Sequence, residues 1–330
     1  IAGEVELIEE VARLHGYENF SSQIRPQRPG RVPDAPMHLL SRQVRTELVA
    51  AGLLEARPMP FVRSGDDAHR VRNPLAEDEA YLRTNLLETL SRRVEHNFAH
   101  MQRNVRLFEI GTVFTAARDP QTSAPAERIH AAAIVTGERR PPHFTEPKPP
   151  HFDEWDAKGI AEAVTRAAWP GAAVSLDPSV ADVLWNIDVN GTAVGTVRRL
   201  SLDAPVWAAP VYGVEIDLNA LPIESHAARK YQAIPVMPAM EVDLALVVPD
   251  SVTSAQVAES IRASAGDLLE SLVVFDEFRG GVLPAGTRSL AWRLTFRHPE
   301  RTLRDREIQG RTAKILSTLE AALGIKQRTS

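Results

Sequence analysis

The chain has 330 residues, 44% hydrophobic and 25% charged, with 38 Lys+Arg against 43 Asp+Glu for a formal charge of -5. That length excludes a single small domain and suggests two domains with a fragment of a third. With no cysteine there can be no disulfide framework, thiolate zinc site or thiol nucleophile, which fits a reducing compartment and makes the cytoplasm the expected location. The longest apolar runs, such as Leu244 to Val248, fall far short of the roughly 20 residues that cross a bilayer. Neither an initiator methionine nor a signal peptide opens the chain at Ile1, so a piece of a longer protein is expected.

Glu4 to Tyr17 places Ile8, Val11, Ala12 and Leu14 at helical spacing and reaches Gly16, a plausible C-terminal stop. Ser21 to Pro36, with four prolines after Ser21 and a glycine, suits an extended connector. Leu40, Val44, Leu48 and Ala51 predict an amphipathic helix over Met37 to Ala51, closed by Gly52. Tyr81 to Phe98 reads as a further helix, and Val105 to Phe114 alternates like a strand with Gly111 inside it. Strands are also expected at His130 to Val135, Leu184 to Val189 and Thr192 to Val197, the last two joined at Asn190-Gly191, a strong hairpin signal. Pro141 to Pro150 holds five prolines, yet strand-like segments flank it on both sides, so a long loop inside one domain is expected rather than a linker. The better boundary lies between Leu221 and Pro238, around the polar run Glu224 to Gln232.

The last hundred residues predict strand Glu241 to Val248, helix Val252 to Ala265, strands Leu268 to Phe278 and Arg288 to His298, helix Arg304 to Leu323 and a short strand at Ile325 to Arg328. This βαββαβ order is that of a ferredoxin-like sandwich, with two helices on one face of an antiparallel sheet.

Signatures of an independent enzyme fail. His96 and His100 stand four apart like zinc ligands, but Asn97 follows His96 where a metalloprotease needs glutamate, so two solvated helix histidines is the stronger reading. Gly191 to Gly195 has neither P-loop nor dinucleotide spacing, and no Gly-x-Ser-x-Gly elbow occurs. On the opening helix Glu6, Glu9 and Glu10 share one face, where a hard divalent cation such as Mg²⁺ would relieve their repulsion. Spacing alone favours the alternative, a solvated face balanced by Arg13.

Between Arg288 and Lys314 eight basic residues face Glu300, Asp305 and Glu307, a local balance of +5. Phosphate contacts and a simple abundance of arginine are equally good explanations of it. Period-two alternation sends Leu290, Trp292, Leu294 and Phe296 to the core and leaves Ser289, Ala291, Arg293 and Thr295 on the open face. In the first strand Leu244, Leu246 and Val248 point inward and Asp243, Ala245 and Val247 outward. If the two strands are neighbours, the open face has a floor of small residues on which unstacked bases can lie. The aromatic signature of an RRM is absent, and a bare solvent-exposed face would look the same.

Glu6-Leu7-Ile8-Glu9-Glu10-Val11-Ala12-Arg13-Leu14-His15-Gly16-Tyr17 resembles the end of the B5 domain of the bacterial phenylalanyl-tRNA synthetase beta subunit. Asn73-Pro74-Leu75, Leu82 to Leu86, Phe108 to Phe114 and Lys158-Gly159, preceded by Phe152 and Trp155, resemble the class II synthetase-like core of that family. Ser289-Leu290-Ala291 and Arg301-Thr302-Leu303 are similar to its ferredoxin-fold anticodon-binding domain. The order of these motifs covers the chain nearly end to end. Three departures stand out: no His-Pro-Gly segment is recognisable between Leu176 and Asn190, Val242 replaces a usual arginine, and Glu6 replaces a usual aspartate.

The resemblance implies an α+β chain: the end of B5 over residues 1–22, a class II aminoacyl-tRNA synthetase-like antiparallel sheet core over 36–225, and the anticodon-binding domain over 235–330. Arg106-Leu107-Phe108-Glu109 is reminiscent of the ATP-contacting second motif of class II enzymes, but no glycine-rich third motif follows, so the core is expected to be noncatalytic. The family further implies an alpha subunit carrying the active site and using ATP, an (αβ)₂ heterotetramer, and ligation of phenylalanine to tRNA(Phe). By the same resemblance Glu6, Glu9 and Glu10 match magnesium ligands shared with the alpha subunit. Ala245, Ser289 and Ala291 are the expected anticodon contacts, with Arg293 as an electrostatic helper. The alternative is a stand-alone RNA-binding or scaffold protein derived from that subunit.

Overall fold

The computed structural model describes residues 3–22, 30, 32–63, 68–118, 124–223, 231, 234–281 and 283–328, with the side chains of 117 and 118 left aside. The chain divides into two compact units, residues 1–226 and 227–330. Half of the connector 21–36 and most of the polar run 224–232 lie outside the described residues.

In the first unit, α1 (Glu4–His15) forms as the spacing predicts and buries none of its residues. Helix α2 (Pro36–Ala50) starts on a proline, whose fixed φ suits the first turn, and buries Leu40, Val44 and Leu48. Ala51 stays exposed just past its end. Two-residue strands follow, β1 (Leu54–Glu55), β2 (Phe61–Val62) and β3 (Tyr81–Leu82), and then α3 (Leu87–Ala99).

The helix expected from Tyr81 therefore begins six residues later. Tyr81 and Leu82 pair with β2 instead, and the Arg83 side chain is drawn under the sheet. The start of α3 is fixed by carboxylate and amide caps: Glu215 accepts from Leu86 N (3.0 Å) and Leu87 N (3.2 Å), and Asn85 Oδ1 accepts from Glu88 N (2.9 Å). These satisfy amides that have no partner inside the helix.

The remaining elements are β4 (Val105–Arg118), β5 (Pro125–Thr136), α4 (Glu154–Ala168), β6 (Val174–Pro178), β7 (Val183–Val189), β8 (Thr192–Leu200) and β9 (Val211–Asp217). They build a seven-stranded sheet in the order β1-β4-β5-β9-β8-β7-β6. The sheet is mixed rather than wholly antiparallel, because β1 runs parallel to β4 at one edge. The turn after α2 returns the chain in the direction of β4, and two residues suffice to extend the edge. Asn190 and Gly191 both take positive φ, 52° and 80°, the conformation that a two-residue hairpin between β7 and β8 needs. The proline-rich stretch folds back on the same unit: Arg139 N donates to Pro150 O at 2.9 Å and Glu138 bridges to His151. It ends in the capping box of α4, where Asp153 and Asp156 exchange side-chain and backbone bonds at 2.9 Å.

Helices α2 and α4 cover one sheet face around Phe108, Ile187, Val214 and Ile216. Helix α3 covers the other around Val113, Ile134 and Val211. Under α3 lies a buried ion pair. Arg83 donates from Nη1 to Glu109 Oε2 (2.9 Å) and Thr89 Oγ1 (3.1 Å), from Nη2 to Glu109 Oε1 (2.7 Å), and from Nε to Thr112 O (3.0 Å). Both residues are 3% exposed. Gly111 makes room for the pair, since a Cβ there would lie 2.6 Å from Arg83 Nη2 and 2.7 Å from Glu109 Oε1. Burial pushes the Glu109 carboxyl above its ordinary value, and Arg83 opposes that rise.

The second unit contains β10 (Met240–Pro249), α5 (Ser254–Ala265), β11 (Leu269–Phe278), β12 (Thr287–Phe296), α6 (Asp305–Leu323) and β13 (Lys326–Gln327), the expected βαββαβ order. Its sheet runs β11-β12-β10-β13 with every neighbour antiparallel. Leu244, Leu246, Val248, Leu290, Trp292, Leu294 and Phe296 pack against Val257 and Ile261 of α5 and Ile308, Ile315 and Leu319 of α6. Each such side chain contributes about 1.5–3 kcal/mol by leaving water. The helices cover one face only, and the other stays open.

Arg83→Met leaves Glu109 buried without its partner and is expected to cost about 3–5 kcal/mol in urea unfolding. A group whose folded pKa is raised contributes stability at low pH that is lost as pH rises through it. The single variant should therefore be more stable below the ordinary carboxyl value of 4.5 than at neutral pH. Adding Glu109→Met should recover part of the loss and remove that pH dependence.

Candidate nucleic-acid interface

The open face of the second unit is set by strand register. Ala245 stands opposite Ala291, Val247 opposite Ser289 and Asp243 opposite Arg293, so β10 and β12 are central neighbours with a low floor at the two alanines. On the other side of β12, Val273, Asp276 and Phe278 face Arg293, Ala291 and Ser289. A β-bulge between Val274 and Asp276 turns Phe275 outward beside them.

Phe275 and Phe278 are 53% and 41% exposed. They are aromatic surfaces that alternation alone did not reveal, because the bulge breaks the period of two inside Val273 to Phe278. The signal was present as two phenylalanines three apart in a strand, a spacing that only an irregularity can bring to one face.

Guanidinium groups cover both rings. Arg293 lies over Phe275 at 5.2 Å and Arg328 over Phe278 at 5.0 Å. Arg328 N donates to Ala245 O at 2.8 Å on the far side of β10, so its side chain crosses β10 and β12 to reach Phe278. Ser289 has the predicted strand phase but is only 4% exposed, with Val247 and Phe278 opposite it on the two neighbouring strands. A cation over an exposed ring is worth about 0.5–1 kcal/mol, whereas an aromatic–base stack is worth about 1–3 kcal/mol. A nucleobase can displace such a cover.

The basic stretch is less positive than its local balance. Arg293 makes a bidentate pair with Asp243 (2.8 and 2.7 Å) and approaches Glu241 at 3.8 Å. Asp243 raises the Arg293 guanidinium further above its ordinary value, and is itself held below the usual carboxylate range. Arg288 bonds Asp250 and Val252 O, Arg297 pairs with Glu270, and Arg311 lies near Asp267. These acids fall outside residues 288–314 and were invisible to a local count. Arg301 pairs with Glu307 at 2.7 Å, which holds that carboxyl down to about 2 and fastens the start of α6. Arg301-Thr302-Leu303 is thus a structural motif, with Leu303 buried.

The other sequence candidates lie in the first unit. Among the described residues no group of three His, Cys, Asp or Glu side chains is placed to hold a metal. Glu10 is bound by Arg13 at 2.6 Å, so Glu6, Glu9 and Glu10 do not by themselves fit a metal cage. His96 and His100 stack at 4.3 Å with His100 Nδ1 against His96 O. Glu109 is taken up by Arg83, and Arg106 Nη1 donates to Arg139 O at 3.1 Å, so this strand does not offer an ATP clamp. A cavity of about 640 Å³ beside α3, β8 and β9 is lined by Glu215 and Asp217. Their carboxylates are engaged internally by the α3 amides, His130 (2.7 Å to Glu215) and Arg128. No helix among the described residues is long and apolar enough to cross a membrane.

A mixed-sheet α+β core followed by a ferredoxin-fold unit with a half-open sheet is the organisation of a tRNA synthetase component. Residues 23–184 match the phenylalanyl tRNA synthetase beta chain CLM domain, and residues 235–328 match the ferredoxin-fold anticodon binding domain. The phenylalanine–tRNA ligase beta subunit of Syntrophotalea carbinolica is 30% identical over 348 residues, covering 98% of this chain and 43% of that protein. That of Bacillus subtilis is 31% identical over 335 residues, covering 96% and 41%. A solved pyrrolysyl tRNA synthetase from Desulfitobacterium hafniense is similar at 11% identity and a TM-score of 0.40, over 65% of this chain and 72% of that one. The chain belongs to the phenylalanyl-tRNA synthetase beta chain family, of which it represents the C-terminal portion. It spans about two fifths of the length of these curated relatives.

Asp243→Ala should release Arg293 toward solvent. Stronger retention on a heparin column, with elution at higher salt than the parent, is the expected outcome; identical elution would show that the pair does not mask the charge.

Proposed function

We propose that this chain is the noncatalytic C-terminal part of a phenylalanine–tRNA ligase beta subunit, acting in the cytoplasm. In this reading the assembly attaches phenylalanine to tRNA(Phe) with ATP at an active site on the alpha subunit, in an (αβ)₂ heterotetramer. The first unit serves assembly and the second binds the anticodon. Domain boundaries near residues 22, 36, 225 and 235 go with this division.

The observation that carries the reading is the floor where Ala245 faces Ala291, flanked by exposed Phe275 and Phe278, inside the segment similar to anticodon-binding domains. Splayed bases need such a surface: small residues let the backbone approach, and aromatic faces accept stacking. Ala245, Ala291 and Phe278 are the proposed contacts. Ser289, next to Ala291 on the same face of β12, is a further proposed contact, and Arg293 acts through its pair with Asp243. The internal use of Glu109 and Arg106 supports a noncatalytic core. Magnesium at Glu6, Glu9 and Glu10 would require ligands from another chain, and no step depends on it here.

Ala291→Glu places a carboxylate on the floor and is expected to weaken tRNA(Phe) binding at least tenfold in a filter assay, while circular dichroism stays unchanged. Unaltered affinity would remove the anticodon assignment. Co-expression with a phenylalanyl-tRNA synthetase alpha subunit should yield a stable complex that aminoacylates when the complete beta subunit is supplied. Failure to co-purify, with tRNA binding intact, would favour the stand-alone RNA-binding alternative.

A further inference from the structure

Helix α3 ends on two histidines that neither the core nor any ion pair among the described residues uses. His96 and His100 are both exposed, four residues apart on one face, and their ring centroids lie 4.3 Å apart at an interplanar angle of 41°. His100 Nδ1 donates to His96 O at 2.8 Å. A carbonyl oxygen only accepts, so Nδ1 carries the proton and the neutral ring keeps its lone pair on Nε2. The His96 ring has no hydrogen-bond partner among the described residues. The next residue, Met101, is 63% exposed and sits at φ 61°, a left-handed position that glycine usually takes at the end of a helix. The helix closes around it in a Schellman pattern, with Met101 N donating to Phe98 O and Gln102 N to Asn97 O, both at 2.9 Å. A thioether therefore occupies a strained place beside two imidazoles.

We propose that His96 and His100 form a copper-binding site, with Met101 as a third, softer donor. Geometry selects the metal. An ion about 2.0 Å from each ligating nitrogen lies about 3.2 Å from each ring centre, so the centroids stand about 4.5 Å apart for a right-angled bite and about 5.2 Å apart for a tetrahedral one. The observed 4.3 Å matches the square arrangement, which Cu²⁺ and Ni²⁺ adopt and Zn²⁺ avoids. Copper also stands highest among the divalent ions in affinity for nitrogen ligands, and a thioether is a soft donor suited to Cu⁺. The proton that His100 Nδ1 gives to a carbonyl orients its ring as metal-ligating histidines are commonly oriented. The helix end contributes as well, because its last carbonyls carry the negative end of the macrodipole, which favours a cation there. Arg93, one turn before His96 on the same face, opposes it. Asn97 after His96 removes a metalloprotease mechanism but not the chelate, so the role inferred is binding, with water completing the coordination.

Titration of the 330-residue chain with Cu²⁺, followed by electron paramagnetic resonance, tests the site. The first equivalent is expected to give a tetragonal spectrum with hyperfine structure from two nitrogens. His96→Ala and His100→Ala should each weaken Cu²⁺ binding at least about tenfold, because the second imidazole binds at the effective concentration that the helix imposes. Each should also reduce the hyperfine structure to one nitrogen, while circular dichroism stays unchanged. Under ascorbate, Met101→Leu should weaken Cu⁺ binding, measured by competition with bicinchoninate, and leave the Cu²⁺ spectrum as it is. Copper affinity and spectrum identical in the parent and both histidine variants would place the ion elsewhere and overturn the site. Zn²⁺ binding as tight as Cu²⁺ would overturn the choice of metal, and Cu⁺ affinity unaltered by Met101→Leu would remove the thioether.

Discussion

Ten residues of β10 pair without interruption with ten of β12, from Met240 opposite Phe296 to Pro249 opposite Thr287. Everything proposed for the second unit depends on that register. Because side chains alternate, a slip of one residue would carry Leu244, Leu246, Trp292 and Leu294 to the open face and bury Asp243 and Arg293. The core residues forbid this, since no helix would cover the displaced apolar side chains. The register is therefore enforced by the buried face, and the open face inherits its geometry: an alanine facing an alanine, with an aspartate facing an arginine two residues along. A functional surface is placed here by packing on the opposite side of the sheet.

The first unit depends on a different kind of constraint. Arg83 and Glu109 are charged, buried and mutually bonded, with Thr89 and Thr112 completing the guanidinium's partners. Such a pair adds little to stability over an apolar replacement, but breaking it is costly. Its effect is to fix where β3 ends and α3 begins, and it requires a glycine at 111. Glu215 acts similarly at the other side of α3, with its carboxylate on two helix amides and on His130. These polar groups are directed at one another and at the backbone of their own unit.

Electrostatic expectation and outcome differ for an instructive reason. The +5 stretch is real as a count, yet five of its arginines are paired with Asp243, Asp250, Glu270, Glu307 and Asp267. Four of those acids come from elsewhere in the chain. Strand pairing and helix packing bring them in, and a window along the sequence does not see them.

The sequence by itself determined the elements whose signal is local. Hairpin Asn190-Gly191, the stripe Leu40, Val44 and Leu48, the βαββαβ order and the inward phases of β10 and β12 follow from φ preferences and periodicity, and the structure repeats them. Motif order indicated the family for the same reason, since short segments keep their identity wherever they fold. Tertiary structure alone decided what depends on distant partners. The start of α3 at Leu87 is set by Glu215, the role of Glu109 by Arg83, and the exposure of Phe275 and Phe278 by a bulge against β12. Ser289 keeps the outward phase yet is buried, with Val247 and Phe278 opposite it, partners that strand pairing supplies and periodicity does not encode.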